Sequence, residues 1–388
     1  MHLIALEKEP TSQRGGQELN LFEICRDLSQ KGYSVSLLYM NEGNLLDHYR
    51  GFCDHVIKVD AFGFDRRRIG NVFKFATSLA KINQLPITSS SVLLINDYHI
   101  SLFAYVISLL KNLPFLCYLQ IPPSDTNRQV RLALKGVDRF VAVSQETKRE
   151  WVDFGCADDA IEVIHNGTDT AKFKPAQDFS ATRKSWGLSE TAKVICYVGR
   201  IDREKGLEYL LKAVALLADQ EPEITLIIAG KPVVHYNALK GTECEDEGMK
   251  YQRSLEQLAR DLGIDHQVQF SGYLSNPVSL YQTSDISVLP SIWSEAFGRS
   301  IIESLACGTP VIASRVGGIP EILTEEFAEN LVTAGDEKAL ANRISEVIHW
   351  RETDPKLGQR CSEHVVNKFS LESMVSGVEK TLLKAAKA

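Results

Sequence analysis

Residues 284–323 constrain the fold of this chain more than any other segment. Two short apolar runs, Ile286–Leu289 and Val311–Ala313, flank an amphipathic stretch over Ser300–Cys307 that Gly308 closes. Short apolar runs of this kind are typical of strands buried on both faces, and a helix between two of them is the usual crossover between parallel strands. The segment therefore predicts a buried parallel βαβ unit.

Two loops lie at the expected carboxyl edge of this unit, Ser291–Gly298 and Arg315–Gly318. Ligands of parallel sheets bind at that edge. Each loop leads into a helix whose unpaired N–H groups and positive dipole end can hold phosphate oxygens, and Pro320 suits the first turn of the second helix. The segment thus also predicts a phosphate-binding site.

The same segment contains two glutamates, Glu295 and Glu303, in the spelling EAFGRSIIE. Such a pair alone is weak evidence, because a solvated helix face is its usual origin. Here Gly298 permits close backbone approach, Gly308–Pro310 turns the chain into the next strand, and Val316–Glu321 reads VGGIPE. Together these residues resemble the E-x7-E signature of the retaining, GT-B-fold glycosyltransferases (family 4-like), which use nucleotide-sugar donors.

A second match lies at Gly199–Gly206, directly after the strand-like run Val194–Val198. It reads GRIDREKG and resembles the family's G-R-x4-K-G diphosphate loop, one residue shorter than the spelling of some members. Arg200 and Lys205 on one loop would neutralise the charge that a departing diphosphate gains. An arginine and a lysine on a surface loop are usually only solvated, but the position after a strand favours a function.

Strand-like runs alternate with helical stretches along the whole chain, which is the pattern of parallel sheets. A chain of 388 residues is too long for one ordinary hydrophobic core, and the simplest division is into two domains of similar size. The predicted strands are His2–Leu6, Val35–Tyr39, Val92–Ile95, Phe115–Leu119, Phe140–Val143, Glu162–Ile164, Val194–Val198, Ile224–Ala229, Val268–Phe270, Ile286–Leu289 and Val311–Ala313. The resemblance implies an α/β chain of the GT-B fold, with two Rossmann-like, doubly wound domains facing each other across a cleft.

Turn formers at Asn166–Asp169 and Phe173–Pro175 interrupt this pattern, and they resemble the family's junction between domains. We predict an N-terminal acceptor-binding domain over residues 1–172 and a C-terminal donor-binding domain over residues 173–370. By resemblance, a last helix over about residues 371–388 crosses back onto the first domain. The polar and acidic segment Pro232–Gly248 is similar to an insertion loop, either a lid or without function, and it contains no D-x-D metal motif.

Composition limits the function further. The chain is 44% hydrophobic and 24% charged with a net charge of −7, which is typical of a soluble globular protein and argues against nucleic acid as a partner. The opening MHLIALEKEP lacks the pattern of a secretory signal, so we expect a cytoplasmic protein. One alternative is peripheral contact with the inner face of an anionic membrane, through the basic run Arg66–Arg68 and the apolar residues Val72, Phe73 and Phe75. A solvated loop and helix is the favoured interpretation.

The eight cysteines are scattered without a C-x-x-C pair, and the nine histidines show no metal-ligand spacing. Reduced core thiols are expected, with no metal and no cofactor. The longest apolar stretch, Ile100–Leu110, is too short to span a bilayer and reads as a buried helix.

The resemblance assigns roles to the residues of the EAFGRSIIE motif. Glu295 is expected against the donor sugar, and with Arg200 and Lys205 it forms the predicted catalytic set. Backbone N–H groups of Phe297, Gly298 and Arg299 are expected at the sugar hydroxyls, Ser300 at the diphosphate and Glu303 at both ribose hydroxyls. Arg299 replaces an aliphatic residue common in the family, so it adds a charge contact or points to solvent.

Two further loops belong to the predicted donor site by resemblance. The first loop follows a predicted strand and contains Gly272, Tyr273 and Leu274. Members of the family bind the nucleotide base there, mostly through backbone groups. Backbone contacts do not depend on side-chain type, so the sequence does not identify the base. A UDP-sugar is favoured over a GDP-sugar because it is the commoner donor. Gly15 and Gly16 open the first helix, where the family's glycine-rich loop approaches the donor phosphates and the acceptor; a plain turn needs glycine too.

The acceptor side departs from the family. Gln120 stands where many relatives have a histidine, and an amide cannot take up a proton as imidazole does. His99 and Asp97 follow the preceding predicted strand and are alternative acceptor-side residues.

The resemblance thus implies a metal-independent, retaining hexosyltransferase with a glycan, lipid-linked or small-molecule acceptor, in bacterial polysaccharide or glycolipid synthesis. In the family's same-face substitution, the leaving phosphate takes the acceptor proton and no protein nucleophile is needed. One alternative is a non-catalytic nucleotide-sugar-binding GT-B protein in a larger assembly. Another is a nicotinamide-dependent dehydrogenase, which the missing G-x-G-x-x-G fingerprint disfavours.

Overall fold

The structure is a computed structural model of the chain, and it describes residues 1–64, 69–124, 126–189, 191–232 and 247–386. Arg66–Arg68 of the predicted membrane contact lie outside the described residues. So does most of the predicted insertion loop, residues 233–246, with Cys244.

The chain divides into two compact units, Met1–Asn166 with the C-terminal segment from Leu371 onward, and Gly167–Ser370. The division therefore falls before the 172/173 boundary of the sequence analysis. Thr168 explains the difference, because its N–H donates to the carbonyl of Phe369 over 3.0 Å and it forms a parallel bridge with Ser370. These contacts tie the first residues of the junction to the second unit.

The first unit contains, among its described residues, a parallel seven-stranded sheet in the order β3-β2-β1-β4-β5-β6-β7. Its central strands are fully buried apolar runs, since helices cover both faces of such a sheet. Its strands are β1 His2–Glu7, β2 Ser34–Tyr39, β3 His55–Lys58, β4 Ser91–Ile95, β5 Phe115–Leu119, β6 Arg139–Ala142 and β7 Ile161–Val163. Its helices are α1 Gly16–Gln30, α2 Leu46–Arg50, α3 Ile69–Lys81, α4 Ser101–Lys111, α5 Arg128–Leu134, α6 Gln145–Asp153 and the C-terminal α16 Leu371–Ala386.

The C-terminal helix α16 is held in the first unit by side-chain hydrogen bonds. Glu379 accepts from Lys31 over 2.6 Å and from Tyr33 over 2.7 Å, both beside the end of α1. Thr381 donates to Glu162 of β7 over 2.9 Å. The last helix therefore belongs to the first unit although it follows the second in sequence.

The second unit contains, in the part of the chain that the structure describes, a parallel six-stranded sheet in the order β10-β9-β8-β11-β12-β13. Its strands are β8 Lys193–Val198, β9 Ile224–Ala229, β10 Val268–Gly272, β11 Ile286–Leu289, β12 Val311–Ser314 and β13 Leu331–Val332. Its helices are α7 Phe179–Ser185, α8 Leu207–Leu217, α9 Glu247–Asp261, α10 Val278–Thr283, α11 Arg299–Ala306, α12 Ile319–Ile322, α13 Glu337–Val347, α14 Trp350–Thr353 and α15 Leu357–Lys368. The predicted pair of parallel α/β domains is confirmed.

Buried charges brace the amino edge of the second sheet. Asp285, at the start of β11, accepts from Arg183 over 2.6 Å and from Arg351 over 3.0 Å. The same carboxylate accepts from the N–H of Val194 over 2.8 Å, and the indole of Trp350 donates to the Asp285 carbonyl over 2.7 Å. Every polar bond here joins elements that are distant in sequence, so the network fixes α7 and α14 to the sheet.

Three expectations need correction. The strands β3 and β13 were not predicted, because β3 is a half-buried edge strand and β13 has only two residues. The stretch predicted as a buried helix, α4, ends with Leu109 and Leu110 exposed, since they lie on its solvent face. Phe75 is buried against the rings of Phe64 and Phe103 and is therefore unsuited to membrane contact.

The seven cysteines that the structure describes are free thiols. Burial raises the pKa of several of them, including Cys25, Cys196 and Cys361, because an ionised thiolate is disfavoured in an apolar core. Five of these seven thiols are buried core residues, as the sequence predicted, whereas Cys53 and Cys156 are half-buried.

Candidate functional site

The two loops at the centre of the second sheet lie against each other. The strands β8 and β11 are neighbours, so the loops that follow them meet at the carboxyl edge. The N–H of Ile292 donates to the carbonyl of Glu204 over 2.9 Å. Gly206, at φ 63°, has no room for a side chain, because a Cβ there would overlap the carbonyl oxygen of Pro290. The Gly199–Gly206 loop and the Pro290–Gly298 loop therefore form one rigid platform.

Lys205 and Glu295 form an ion pair across this platform, between Lys205 Nζ and Glu295 Oε1. Ser291 donates to the same carboxylate oxygen over 2.5 Å. Burial acts to raise the pKa of Glu295, but the Lys205 ammonium, the Ser291 hydroxyl and the Arg200 guanidinium outweigh it and hold the pKa below its usual value. Glu295 is thus an ionised, oriented carboxylate.

Arg200 is an exposed cation of the platform. Its side chain is 43% exposed, and its guanidinium lies 3.5 Å from the carboxylate of Asp202. The hydroxyl of Tyr197 donates to the Arg200 carbonyl over 2.5 Å, which holds the backbone at this position. The structure therefore brings Arg200, Lys205 and Glu295 together and leaves the guanidinium accessible to an anion.

The backbone of Glu295 is held from the other side by the loop after β12. The N–H of Gly318 donates to the Glu295 carbonyl over 2.7 Å. Gly317 lies at φ 54°, and a Cβ on it would overlap that carbonyl oxygen. Ser291 and Gly317 lie within the two predicted ligand-binding loops, but the sequence analysis assigned neither of them a role of its own. A serine four positions before Glu295 carries no periodic signal, and a glycine that is needed for close contact looks like any turn glycine.

Glu303 lies on α11, which begins directly after Gly298 in the left-handed region at φ 109°. One carboxylate oxygen of Glu303 accepts from Arg299 Nε over 2.9 Å, and the other accepts from the Tyr281 hydroxyl over 3.4 Å. The suggestion that Arg299 points to solvent is therefore wrong, since its side chain lies along the helix against Glu303. The charge contact is internal to the protein.

The remaining residues of this motif differ in what they can offer a ligand. Phe297 is buried, with its ring 5.8 Å from that of Phe369, so only its backbone is available for binding. Ser300 is half-buried in the first turn of α11, where N–H groups have no partner within the helix.

Gly272, Tyr273 and Leu274 lie at the end of β10, the edge strand of the second sheet. This strand is two positions from β8, which corresponds to about 10 Å. The carbonyl of Gly272 accepts from the N–H of Gly230 over 2.9 Å, and Lys231 Nζ lies 5.1 Å from the centre of the Tyr273 ring. The predicted base-binding residues thus lie at the carboxyl ends of the strands, as the Lys205–Glu295 ion pair does, but two strands away from β8.

The predicted residues of the first unit also lie at the carboxyl ends of its strands. Gly16 begins α1, and the exposed Gly15 precedes it without a side-chain cap. Asp97 follows β4 and accepts from the backbone and the ring of His99, the ring Nδ1 over 2.7 Å. Burial acts to raise the pKa of Asp97, and the His99 contacts lower it below its usual value. Gln120 follows β5 and is buried.

Family models match most of this chain. A model described as "Glycosyltransferase Family 4" matches residues 14–172, and one described as "Glycosyl transferases group 1" matches residues 178–364. The chain belongs to the GT-B glycosyltransferases. Each model matches most of one structural unit, so both units of this GT-B glycosyltransferase resemble known glycosyltransferases in sequence.

Individual relatives agree with this membership. The D-inositol 3-phosphate glycosyltransferase of Mycolicibacterium gilvum is 34% identical over 213 residues, which are 54% of this chain and 44% of the relative. The chain spans about half the length of the curated relatives it matches. Anabaena Alr3699/HepE, solved with UDP and glucose, superposes with a TM-score of 0.82 at 21% identity and covers 98% of this chain and 99% of its own. The same neighbour was also solved with UDP-glucose.

Within the described ranges, the helices fall short of the length and apolar character needed to cross a membrane. In the same residues, no three His, Cys, Asp or Glu side chains are grouped as metal ligands.

Proposed function

We propose that this protein transfers a hexosyl group from a nucleotide diphosphate sugar to an acceptor hydroxyl, with retention of configuration. The observation that carries the proposal is the cluster of Arg200, Lys205 and Glu295 on one rigid platform at the carboxyl edge of the second sheet. Two cations beside one oriented carboxylate suit a ligand that carries both a diphosphate and a sugar.

In the proposed reaction the bond between the anomeric carbon and the diphosphate oxygen breaks, and its electron pair leaves with the phosphate. The acceptor oxygen forms the new bond to the anomeric carbon, and its proton passes to the leaving phosphate oxygen. Arg200 and Lys205 stabilise the charge that the diphosphate gains. Fixed cations do so without reorganising during the reaction.

Glu295 acts as a positioning group for the donor sugar in this scheme, rather than as a nucleophile. One of its oxygens already accepts from Lys205 and Ser291. The other can accept a sugar hydroxyl, because an ionised carboxylate has several lone pairs. Its lowered pKa keeps it an acceptor throughout the neutral pH range.

Glu303 is the proposed ligand of the ribose hydroxyls. A carboxylate accepts two donors at once, which suits a vicinal diol. In the structure its oxygens are engaged by Arg299 and Tyr281, so a bound ribose would share the carboxylate with Arg299 or displace it. UDP is the favoured nucleotide, supported by the UDP complexes of Anabaena Alr3699/HepE.

The proposed acceptor is a glycan, a lipid-linked sugar or a small molecule, in polysaccharide or glycolipid synthesis. The curated relatives are named for D-inositol 3-phosphate, which makes a small polyol one candidate. Contact with a membrane surface is a further part of the proposal, supported by the exposed Val72 and Phe73 on α3.

Thermal-shift and calorimetric titration against UDP, GDP, ADP, NAD⁺ and UDP- and GDP-sugars test the donor site, because a ligand of the folded state raises its melting temperature. We expect UDP and a UDP-sugar to raise the melting temperature selectively. The rise should be present in wild type and in Lys184→Ala and absent in Lys205→Ala. Lys184 is an exposed lysine of the same unit and controls for loss of charge. Stabilisation by NAD⁺ alone would refute the proposal and favour a dehydrogenase.

Transfer itself needs a separate assay. We expect UDP release in the presence of acceptor, unaffected by EDTA, because Arg200 and Lys205 provide the cations at the diphosphate. NMR of the first-formed product would give its anomeric configuration. A protein that binds the nucleotide but releases UDP no faster than Lys205→Ala does would support the non-catalytic alternative.

A further inference from the structure

Asp202 is an anion on the Gly199–Gly206 loop, which is proposed to bind an anion. It stands between Arg200 and Lys205 in the chain, and its side chain is only 16% exposed. No role was predicted for it. A carboxylate in this place works against the binding of a diphosphate, so its surroundings decide how strongly it acts.

The carboxylate of Asp202 is poorly compensated within the described residues. Its Oδ2 lies 3.5 Å from Arg200 Nη2, which is a long contact for an ion pair. Its Oδ1 is buried and has no hydrogen-bond partner there. The carboxylate of Glu295, by contrast, accepts from both Lys205 and Ser291. Asp202 therefore acts on its neighbours with little compensation, and such a charge acts more strongly in poorly solvated surroundings than in water.

Two of the three cations on this loop are engaged by other groups. Lys205 pairs with Glu295. The guanidinium of Arg203 lies 5.0 Å from the centre of the Tyr251 ring on α9, which is a cation–π contact. Arg200 is the cation that a ligand anion can reach without breaking either contact, and Asp202 lies beside it.

The substrate and the product of the proposed reaction differ in charge at the group that would meet Arg200. In a UDP-sugar the β-phosphate is esterified by the sugar. In UDP this phosphate is terminal and loses a second proton near pH 6, as other phosphate monoesters do, which adds almost one full negative charge at neutral pH. A carboxylate beside Arg200 therefore repels UDP more than it repels the UDP-sugar.

We propose that Asp202 is a specificity-determining residue that weakens the binding of UDP more than that of the UDP-sugar, and thereby speeds release of the product. Either ligand has to compete with Asp202 for Arg200, but only UDP brings the additional charge that the carboxylate opposes. Asp202 has this role only if the loop binds a nucleotide diphosphate, so the inference rests on the proposed function.

The test compares UDP with its β-methyl ester by isothermal titration of the full chain at pH 7.5. The ester has the charge of a UDP-sugar without its sugar, so the comparison does not depend on which sugar is the donor. Asp202→Asn keeps the shape of the side chain and removes its charge. We expect it to bind UDP about five- to tenfold more tightly and the ester only about two- to threefold more tightly, because UDP loses one more unit of repulsion.

The ratio of the two dissociation constants separates this charge effect from damage to the loop, because a loosened loop would weaken both ligands alike. Asp202→Ala should shift the ratio in the same direction without adding an amide. Glu204→Gln removes an exposed carboxylate from the same loop, and solvent screens that charge, so the ratio should stay within about twofold of wild type. Melting temperatures show whether each variant is folded.

Product inhibition gives a second readout. In the UDP-release assay, added UDP should inhibit Asp202→Asn at a lower concentration than wild type, by a factor similar to the change in UDP affinity.

The outcomes distinguish this inference from the proposed function. Wild type that binds neither UDP nor its ester contradicts the proposed donor site, and the role of Asp202 falls with it. Wild type that binds both, with the same ratio in folded Asp202→Asn and Asp202→Ala, overturns the role of Asp202 alone. An equal shift of the ratio in Glu204→Gln also overturns it, because any carboxylate of the loop would then serve.

Discussion

The ammonium of Lys205 and the carboxylate of Glu295 form an ion pair that joins two loops 90 positions apart in the chain. The pair is mostly buried, and Ser291 donates to the same carboxylate oxygen. It gives the platform both a fixed cation and a fixed anion. The expected effects of Lys205→Ala and Gly317→Ala follow from this pair and from the backbone that holds it.

We expect Lys205→Ala to lower turnover on the order of 10²-fold, the usual effect of losing one preorganised electrostatic contact. The variant also leaves Glu295 buried without its cation, so its pKa should rise and the residual activity should fall more steeply towards acid pH. Steady-state turnover across pH measures both. Lys184→Ala is the matched control, and near-wild-type turnover in Lys205→Ala would remove this loop from the site.

Gly317→Ala should disturb Glu295 without touching any charge. A methyl group there would overlap the Glu295 carbonyl oxygen, so the loop must move. Gly263→Ala is a matched control, because Gly263 also has a positive φ, of 73°, but nothing within 4 Å of its would-be Cβ. Both variants should lose about 1 kcal/mol of stability from the backbone conformation.

Only Gly317→Ala should also lose UDP-sugar affinity and turnover. Calorimetry and turnover assays on the two purified variants compare them directly. Equal activity in both would show that the contact with Glu295 is unimportant.

Asp285→Ala should destabilise the second unit by about 3–5 kcal/mol, because it leaves the buried Arg183 and the half-buried Arg351 without a counter-charge. Arg183 and Arg351 both pair with this carboxylate. Denaturant unfolding, followed by tryptophan fluorescence, measures the change, and the exposed Asp219→Ala should have little effect. A loss below about 1 kcal/mol would mean that water replaces the carboxylate.

Glu7 should make stability depend on pH. Its folded pKa of about 8 lies above the unfolded value of 4.5, so the folded protein holds a proton that the unfolded chain releases. Stability from this group is complete below about pH 4.5 and is lost as the pH rises through about 8. Glu18, at about 7, acts in the same direction.

Melting temperatures from pH 5.5 to 9 check this dependence. Glu7→Gln cannot titrate, so its curve should fall less with rising pH than that of wild type. Glu42→Gln, at an exposed carboxylate of the same unit, should follow wild type. A Glu7→Gln curve parallel to wild type would show that Glu7 is ionised in the folded state.

Apolar periodicity alone located most of the strands. Phe115–Leu119, Ile224–Ala229 and Ile286–Leu289 were predicted with their observed bounds, because strands buried on both faces are nearly continuous apolar runs. The half-buried β3 and the two-residue β13 give no such run. Their place in the sheets depends on pairing with β2 and β12, which is a tertiary interaction.

The candidate site also combines features that the sequence revealed with features that only the structure shows. The spacing of Glu295 and Glu303, and of Arg200 and Lys205, was visible because both pairs lie in contiguous motifs. The partner of each side chain was not visible: Lys205 bonds Glu295, and Arg299 covers Glu303. These partners follow from which strands are adjacent and from helical geometry.

The sequence by itself determined the class of fold, the two-part organisation and the family, since buried strand runs and contiguous loop motifs are local properties of the chain. The tertiary structure decided which charges meet. It placed Lys205 on Glu295 through the adjacency of β8 and β11, and it left the amides of Asn96 and Gln120 half-paired at the edge of the first sheet. Burial and pairing set the pKa of a carboxyl group, and both depend on residues that are remote in sequence.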